Sequence, residues 1–243
     1  MGLAESALKA ADAADKTEPS GPLHGVPFTI KENIDCVGSP TTMGVPLLLD
    51  AMPPIDSPVV ERMKKAGGIP LARTNLPEMG LRITTDNPLR GRTLNPWNAD
   101  RTAGGSSGGE GSAIATGMSP IGLGNDIGGS LRNPAFCCGI ASLKPSAGRI
   151  PHAIFGSFQD FGVAFQLMAV EGPMARHVKD LRLGYEILSG RDPRDPVSVD
   201  APLTGPQPAK KNVAVGEHYQ FVNGFGLTFS KSGYAVNSTT YYM

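Results

Sequence analysis

In the first third of the chain, two short apolar runs flank a segment with the signals of a helix. Val26 to Ile30 predicts a short buried strand that ends at Lys31. Ser57-Pro58 begins a helix, because serine caps helix N-termini and proline suits the first helical position, and Gly67-Gly68 ends it. Ile69 to Ala72 predicts a second strand. This strand-helix-strand order is typical of parallel α/β architecture.

Two glycine- and serine-rich clusters follow. Gly104 to Glu110 leads into a small-residue helix predicted at about 111–117, and Asp126 to Arg132 follows a strand predicted at Ile121 to Leu123. A turn of this kind before a helix directs several N–H groups to one point, which suits an oxyanion beside a nucleophilic hydroxyl. The first cluster alone is also compatible with a flexible linker, and Ser130 with a plain helix N-cap.

A serine nucleophile needs a base. The four histidines, His24, His152, His177 and His218, lie in no evident catalytic setting and are interpreted as surface or supporting residues. Lys31 is the other candidate, because desolvation at the end of an apolar strand would lower its pKa and let it accept a proton. Spacing alone does not distinguish this role from an ordinary solvated lysine.

Charge and cysteine content exclude several classes of function. The chain has 22 basic and 22 acidic residues, so nothing in its charge favours a nucleic-acid partner. No apolar run approaches the roughly 20 residues that span a bilayer. The three cysteines, two of them adjacent, suit reduced thiols in a cytoplasmic protein, and no Cys/His spacing is typical of a zinc site.

The remaining pattern suggests a division of the chain near residue 215. Helices are predicted at 3–15 and 178–189, a long loop at 84–103, and a last strand at 212–215. Residues 216–243 differ from the rest, because they have few charges, many aromatics and no helical or strand period. We therefore expect one domain at residues 1–215 and an atypical aromatic-rich tail at 216–243.

Several motifs in this order resemble those of the amidase-signature family of serine hydrolases. They are Gly21 to Asn33, Thr74 to Glu78, Asn95 to Trp97, Gly104 to Glu110, Asp126 to Arg132, Pro134 to Gly139, Leu143 to Pro145, Gly172 to Arg176, Asp180-Leu181 and Asp192 to Pro196. The resemblance covers about residues 5–215. It implies an α/β/α sandwich around a mixed sheet, incomplete at its C-terminal side because family members are much longer.

The resemblance also implies roles for individual residues. Ser130 would be the acylated nucleophile, and Ser106, after a cis peptide bond from Gly105, would relay its proton to Lys31. The N–H groups of Ile127, Gly128, Gly129 and Ser130 would hold the oxyanion, while Asp126 and Arg132 would pair and brace the loop. The expected reaction is hydrolysis of a small-molecule amide, with no metal or organic cofactor.

Two positions depart from the family pattern. Asn125 stands where the family usually has threonine, and both residues can hydrogen-bond. Glu110 stands where serine is frequent, and the glutamate form occurs among the simple hydrolases. Two alternatives stay open: an inactive, truncated homologue, and a glutaminase-type subunit of a tRNA-dependent amidotransferase. An α/β-hydrolase is disfavoured, because no predicted strand precedes the Gly-x-Ser-x-Gly pattern at 104–108.

Overall fold

The computed structural model describes residues 3–153 and 163–203, and the backbone of Gln220–Val222 and Thr228–Ser230. The chain divides into two units, Met1–Asp200 and Ala201–Met243. The division expected at residue 215 and the strand expected at 212–215 fall outside the described residues, so both stay predictions.

The first unit alternates helices and strands. Its elements are α1 (Ala4–Ala14), β1 (Pro27–Lys31), α2 (Pro58–Lys65), β2 (Ile69–Thr74), β3 (Asp86–Asn87), β4 (Gly91–Arg92), α3 (Gly108–Ala115), β5 (Ile121–Asp126), α4 (Arg132–Cys138), β6 (Ala141–Ser142), α5 (Val163–Met168), β7 (Val170–Ala175) and α6 (Val178–Leu188). In the second unit, β8 (Gln220–Val222) pairs antiparallel with β9 (Thr228–Ser230). This pairing lies in a segment whose sequence has no strand period.

A five-stranded mixed sheet forms the centre of the first unit, in the order β2-β1-β5-β7-β6. β1 runs parallel to β2 and β5, as the strand-helix-strand pattern predicts. β7 is antiparallel to both β5 and β6, which makes the sheet mixed. The α/β class with a mixed sheet is therefore confirmed.

Side chains alternate between the two faces of the sheet. Phe28 and Ile30 belong to a buried cluster that includes residues of α2 and α6. Thr29, between them, contacts Glu110 of α3 on the opposite face. A smaller cluster on that side joins α3, α4 and β7. Helices thus cover both faces of the sheet. Lys31, two residues after Thr29 at the end of β1, places its side chain on the same face as Thr29.

Local signals in the sequence account for two helix starts. The Ser57 hydroxyl accepts a hydrogen bond from the Val60 N–H at 3.4 Å, which confirms the predicted cap of α2. α3 begins at Gly108, three residues before the predicted start. Its glycines explain this, because a Cβ at Gly108 would clash with Thr85 and one at Gly109 with the Asn75 backbone. They permit close packing rather than break the helix.

One expectation from the sequence is wrong in detail. The segment predicted as a loop at 84–103 contains the antiparallel pair of β3 and β4. In the helix predicted at 178–189, Val178 is 70% exposed, while Leu181, Tyr185 and Leu188 are buried. Val178 is the first residue of the helix, so only the following turns pack in the core. Among the described helices, none is long and apolar enough to cross a membrane.

Candidate active site

Lys31, at the end of β1, is the centre of a buried polar group. Its side chain is fully buried. Its Nζ lies 2.6 Å from the Ser106 Oγ, and it donates to the Asn125 Oδ1, also at 2.6 Å. The structure therefore brings together the lysine and the first serine predicted from the sequence.

Burial determines the protonation of Lys31. Desolvation lowers its pKa to about 7, against the attraction of Glu171, Asp126 and Glu110, which all favour the ammonium. A lysine with a pKa of about 7 is neutral in about half of the molecules near pH 7. It can then accept the proton of the Ser106 hydroxyl across the short Nζ–Oγ contact.

Ser106 is buried and follows a cis peptide bond from Gly105. The Gly105 N–H donates to the Asn133 Oδ1 at 2.9 Å, which ties this loop to α4. A Cβ at Gly105 would lie 2.8 Å from the backbone of Arg82 and Ile83. Glycine is therefore required at position 105, because only a residue without a Cβ lets the backbone before Ser106 pass this close to residues 82 and 83.

The turn after β5 is organised by the Asp126 carboxylate. It accepts hydrogen bonds from the N–H groups of Gly129 at 2.8 Å and Leu131 at 3.0 Å. Arg132 donates to both oxygens, through Nε at 3.0 Å and Nη2 at 2.9 Å. Burial opposes ionisation, but these bonds and the Arg132 charge lower the pKa of Asp126 below its usual range. Asp126 and Arg132 thus lie as an ion pair at the base of the turn.

This arrangement bears on the four N–H groups predicted to hold an oxyanion. The Gly129 N–H is occupied by Asp126. The N–H groups of Ile127, Gly128 and Ser130 donate to no other residue in the described part of the chain. A Cβ at Gly128 would meet nothing within 4 Å, so the turn faces open space there. Of these four N–H groups, only that of Gly129 thus has a partner among the described residues.

Ser130 is partly buried in the same turn. Its carbonyl accepts a hydrogen bond from the Ser107 N–H at 3.2 Å, which joins the two glycine-serine clusters. A cap at Ser130 would start the helix at Leu131. α4 instead starts at Arg132, and Leu131 is its N-cap residue. The interpretation of Ser130 as a helix N-cap is therefore wrong.

Comparison with known proteins identifies the family. The profile described as Amidase matches residues 2–224. This chain belongs to the amidase family. It is 54% identical over 210 residues to an indoleacetamide hydrolase of Bradyrhizobium diazoefficiens, covering 85% of this chain and 40% of that protein. It is 40% identical over 198 residues to a glutamyl-tRNA(Gln) amidotransferase subunit of Methanococcoides burtonii, covering 81% of this chain and 40% of that protein.

A solved structure gives the same result. A bacterial aryl acylamidase of the amidase-signature family superposes with a TM-score of 0.73 at 36% identity, over 82% of this chain and 41% of that one. The chain thus spans about 40% of the length of the relatives it matches.

The amidase-family core also contains contacts that the sequence did not reveal. Asn125 and Asn33 hydrogen-bond through their side-chain amides, with the Asn125 Nδ2 donating to the Asn33 Oδ1 at 3.1 Å. This pairing orients the Asn125 Oδ1 toward Lys31. The sequence marked Asn125 only as a departure from threonine, and gave no signal for Asn33 as its partner.

Glu110 of α3 is fully buried against the sheet. Thr29 of β1 donates to its Oε2 at 2.6 Å, and Thr74 of β2 donates to its Oε1 at 2.8 Å. Burial raises the pKa of Glu110 to about 7, although both hydroxyl donors and the charges of Lys31 and Arg73 favour the carboxylate. Glu110 therefore fastens the helix that follows Ser106 to the strand that carries Lys31.

His152 pairs with Glu171 at 2.9 Å through its Nδ1. The sequence predicts a surface or supporting residue at this position, and the contact with Glu171 makes His152 a supporting residue. Within the described residues, no group of three or more His, Cys, Asp or Glu side chains is placed to hold a metal ion.

Proposed function

We propose that this chain hydrolyses a small-molecule carboxylic amide to an acid and ammonia or an amine, through Lys31, Ser106 and Ser130. The observation that carries the proposal is the 2.6 Å contact between the Lys31 Nζ and the Ser106 Oγ. Because burial lowers the pKa of Lys31 to about 7, the amine at this contact can act as a base near neutral pH.

The first half of the reaction is acylation. Ser106 gives its proton to neutral Lys31 and takes the proton of Ser130, whose Oγ attacks the amide carbonyl carbon. The carbonyl oxygen becomes an oxyanion, which the N–H groups of Ile127, Gly128 and Ser130 stabilise. Asp126 keeps the turn in shape by occupying the Gly129 N–H and pairing with Arg132.

Collapse of this tetrahedral intermediate completes acylation, and hydrolysis of the acyl-enzyme follows. The Lys31 ammonium returns its proton through Ser106 to the leaving nitrogen, the C–N bond breaks, and ammonia or an amine departs. The acyl group stays on the Ser130 Oγ as an ester. Water then attacks that ester, with the same residues receiving and returning the proton, and the acid is released.

The relatives suggest which amides to test first. The relative at 54% identity is named an indoleacetamide hydrolase, so primary amides of arylacetic acids are our first substrate class. The relative from the amidotransferase is less similar, at 40% identity, and does not favour the glutaminase alternative. The three cysteines, Cys36, Cys137 and Cys138, are unpaired, which suits a reducing compartment such as the cytoplasm.

The experiment is ammonia release from indole-3-acetamide and a panel of primary amides. It compares the purified protein with Ser130→Ala, Lys31→Met and the matched control Lys9→Met, whose lysine is exposed on α1. We expect release by the unchanged protein and Lys9→Met, and a loss of roughly 10²–10⁴-fold in the other two variants. Release that persists in Ser130→Ala, or none from protein folded by circular dichroism, would contradict the proposal.

A further inference from the structure

Glu171 lies next to the residues that hold Lys31, yet the proposed reaction does not use it. In the ladder between β5 and β7 it is the direct partner of Asn125. Directly opposite residues of an antiparallel pair place their side chains on the same face, about 5 Å apart at Cβ. Asn125 in turn accepts a hydrogen bond from the Lys31 Nζ at 2.6 Å. The Asn125 side chain therefore lies between the position of Glu171 and Lys31.

The Glu171 carboxylate is buried and only half satisfied. Its Oε1 contacts the His152 Nδ1 at 2.9 Å. Both its Oε2 and the His152 Nε2 are buried, and neither has a hydrogen-bond partner among the residues that the structure describes. The His152 backbone N–H donates to the Asp195 Oδ2 at 2.9 Å. A buried carboxylate oxygen without a partner is costly and requires an explanation.

The other two carboxyl groups that act on Lys31 are already matched. Asp126 is paired with Arg132 and accepts backbone N–H groups from its own turn. Glu110 accepts a threonine hydroxyl on each oxygen. Burial lowers the pKa of Lys31, and among the charges that oppose this, Glu171 acts more strongly than Asp126 or Glu110. Of these three carboxylates, Glu171 attracts the Lys31 ammonium most strongly, and its Oε2 has no partner among the described residues.

We propose that Glu171 is a positioning residue for Lys31. The Glu171 carboxylate, held by His152, stabilises the ammonium that Lys31 becomes during acylation. The inference rests on the proposed function, because that function makes Lys31 the proton acceptor. The proton travels from Ser130 to Ser106 and from Ser106 to Lys31, then returns to the leaving nitrogen. Glu171 transfers no proton in these steps and forms no covalent bond.

His152 modulates this attraction. Burial disfavours its protonation, but the hydrogen bond and charge of Glu171, together with Asp195, raise the pKa of His152 overall. A protonated imidazole offsets the negative charge of Glu171. Replacing it with a neutral donor should therefore strengthen the attraction on Lys31, whereas neutralising Glu171 should weaken it. The charge of Arg73 acts on Glu110, the charges of Asp126 and Arg132 act on Lys144, and all of these groups are unchanged in these variants.

The test is a direct titration of the Lys31 amine by NMR in protein labelled with carbon-13 at lysine Cε. Lys31→Arg assigns the signal. The variants are Glu171→Gln and the matched control Glu186→Gln, which removes an exposed carboxylate of α6 paired with Arg182. We expect Glu171→Gln to lower the titration midpoint by about one pH unit or more, and Glu186→Gln to change it by only a few tenths.

His152→Gln is the second variant, and it still tests the proposal if Glu171→Gln does not fold. We expect it to raise the Lys31 midpoint. The proposal would be overturned if the Lys31 midpoint in Glu171→Gln lay within a few tenths of a pH unit of that in the unchanged protein. It would also be overturned if the Lys31 midpoint in His152→Gln were lower than in the unchanged protein. The titration reports on Lys31 whether or not the protein releases ammonia. Failure of this inference and failure of the proposed function are therefore distinguishable.

Discussion

The Nζ of Lys31 lies 2.6 Å from the Oγ of Ser106, and both side chains are shielded from solvent. An ammonium at this place would lose its hydration, so burial lowers the pKa of Lys31 to about 7. The proposed chemistry therefore depends on this contact and on the groups that maintain it.

The first prediction concerns pH. The folded pKa of Lys31 is depressed, and the proposed base is the neutral amine, so kcat/KM should rise as pH increases through about 7. Burial also raises the pKa of Glu110 to about 7, so Glu110 changes its ionisation in the same pH range. The measurement is the pH dependence of ammonia release, with the fold checked at each pH. A rate that falls as pH rises through 7 would contradict the assignment.

The second prediction concerns Glu110. Glu110→Ala removes the acceptor of the Thr29 and Thr74 hydroxyls and leaves a buried space, so we expect a loss of about 2–4 kcal/mol in the free energy of unfolding. The control is Glu186→Ala, at an exposed i,i+4 pair, with an expected change within about 0.5 kcal/mol. Urea denaturation measures both. Equal stability of the two variants would show that Glu110 does not fasten α3.

The third prediction compares two arginines. Arg132→Met leaves the buried Asp126 without its cation, and we expect a loss of about 3 kcal/mol. Arg182→Met breaks only an exposed pair with Glu186 and should cost within about 0.5 kcal/mol. Urea denaturation near neutral pH again measures the change, and losses of equal size would contradict a special role for the Asp126 pair.

The same pair predicts a dependence on acid. The folded pKa of Asp126 is depressed, so its contribution to stability is present above the unfolded value of about 3.9 and is lost as pH falls through the folded value. The difference between Arg132→Met and the unchanged protein should therefore shrink below about pH 4. A difference that grows in acid would be inconsistent with this sign.

The fourth prediction concerns Asn125. Asn125→Thr keeps one oxygen that can accept from Lys31 but loses the amide pairing with Asn33, so we expect kcat/KM to fall by no more than about tenfold. Asn125→Leu has a similar volume and no acceptor, and we expect a loss of about 100-fold or more. Steady-state kinetics on one primary amide separate the two. Equal activity of the two variants would exclude Asn125 as an acceptor for the Lys31 amine.

The sequence predicted those parts of the structure that depend on local chemistry or on the family resemblance. The Ser57 cap and the parallel pairing of the first two strands follow from short patterns. The contact of Lys31 with Ser106, two residues far apart in the chain, was implied by the resemblance and not by spacing.

Contacts between distant residues account for most of what the sequence did not predict. Glu110 binds Thr29 and Thr74 on two different strands, and no local pattern encodes such a bridge. The pairing of His152 with Glu171 likewise depends on how β7 enters the sheet. The occupied Gly129 N–H follows from the conformation of the Asp126 carboxylate, which residue identity alone does not determine.

Covalent labelling by a fluorophosphonate, with the labelled residue mapped by peptide mass spectrometry, identifies which serine is the nucleophile. We predict one adduct, on Ser130, whose rate of formation falls strongly in Lys31→Met and is unchanged in Lys9→Met. An adduct on Ser106, or labelling of Ser130 at the same rate without Lys31, would contradict the proposed roles of the three residues.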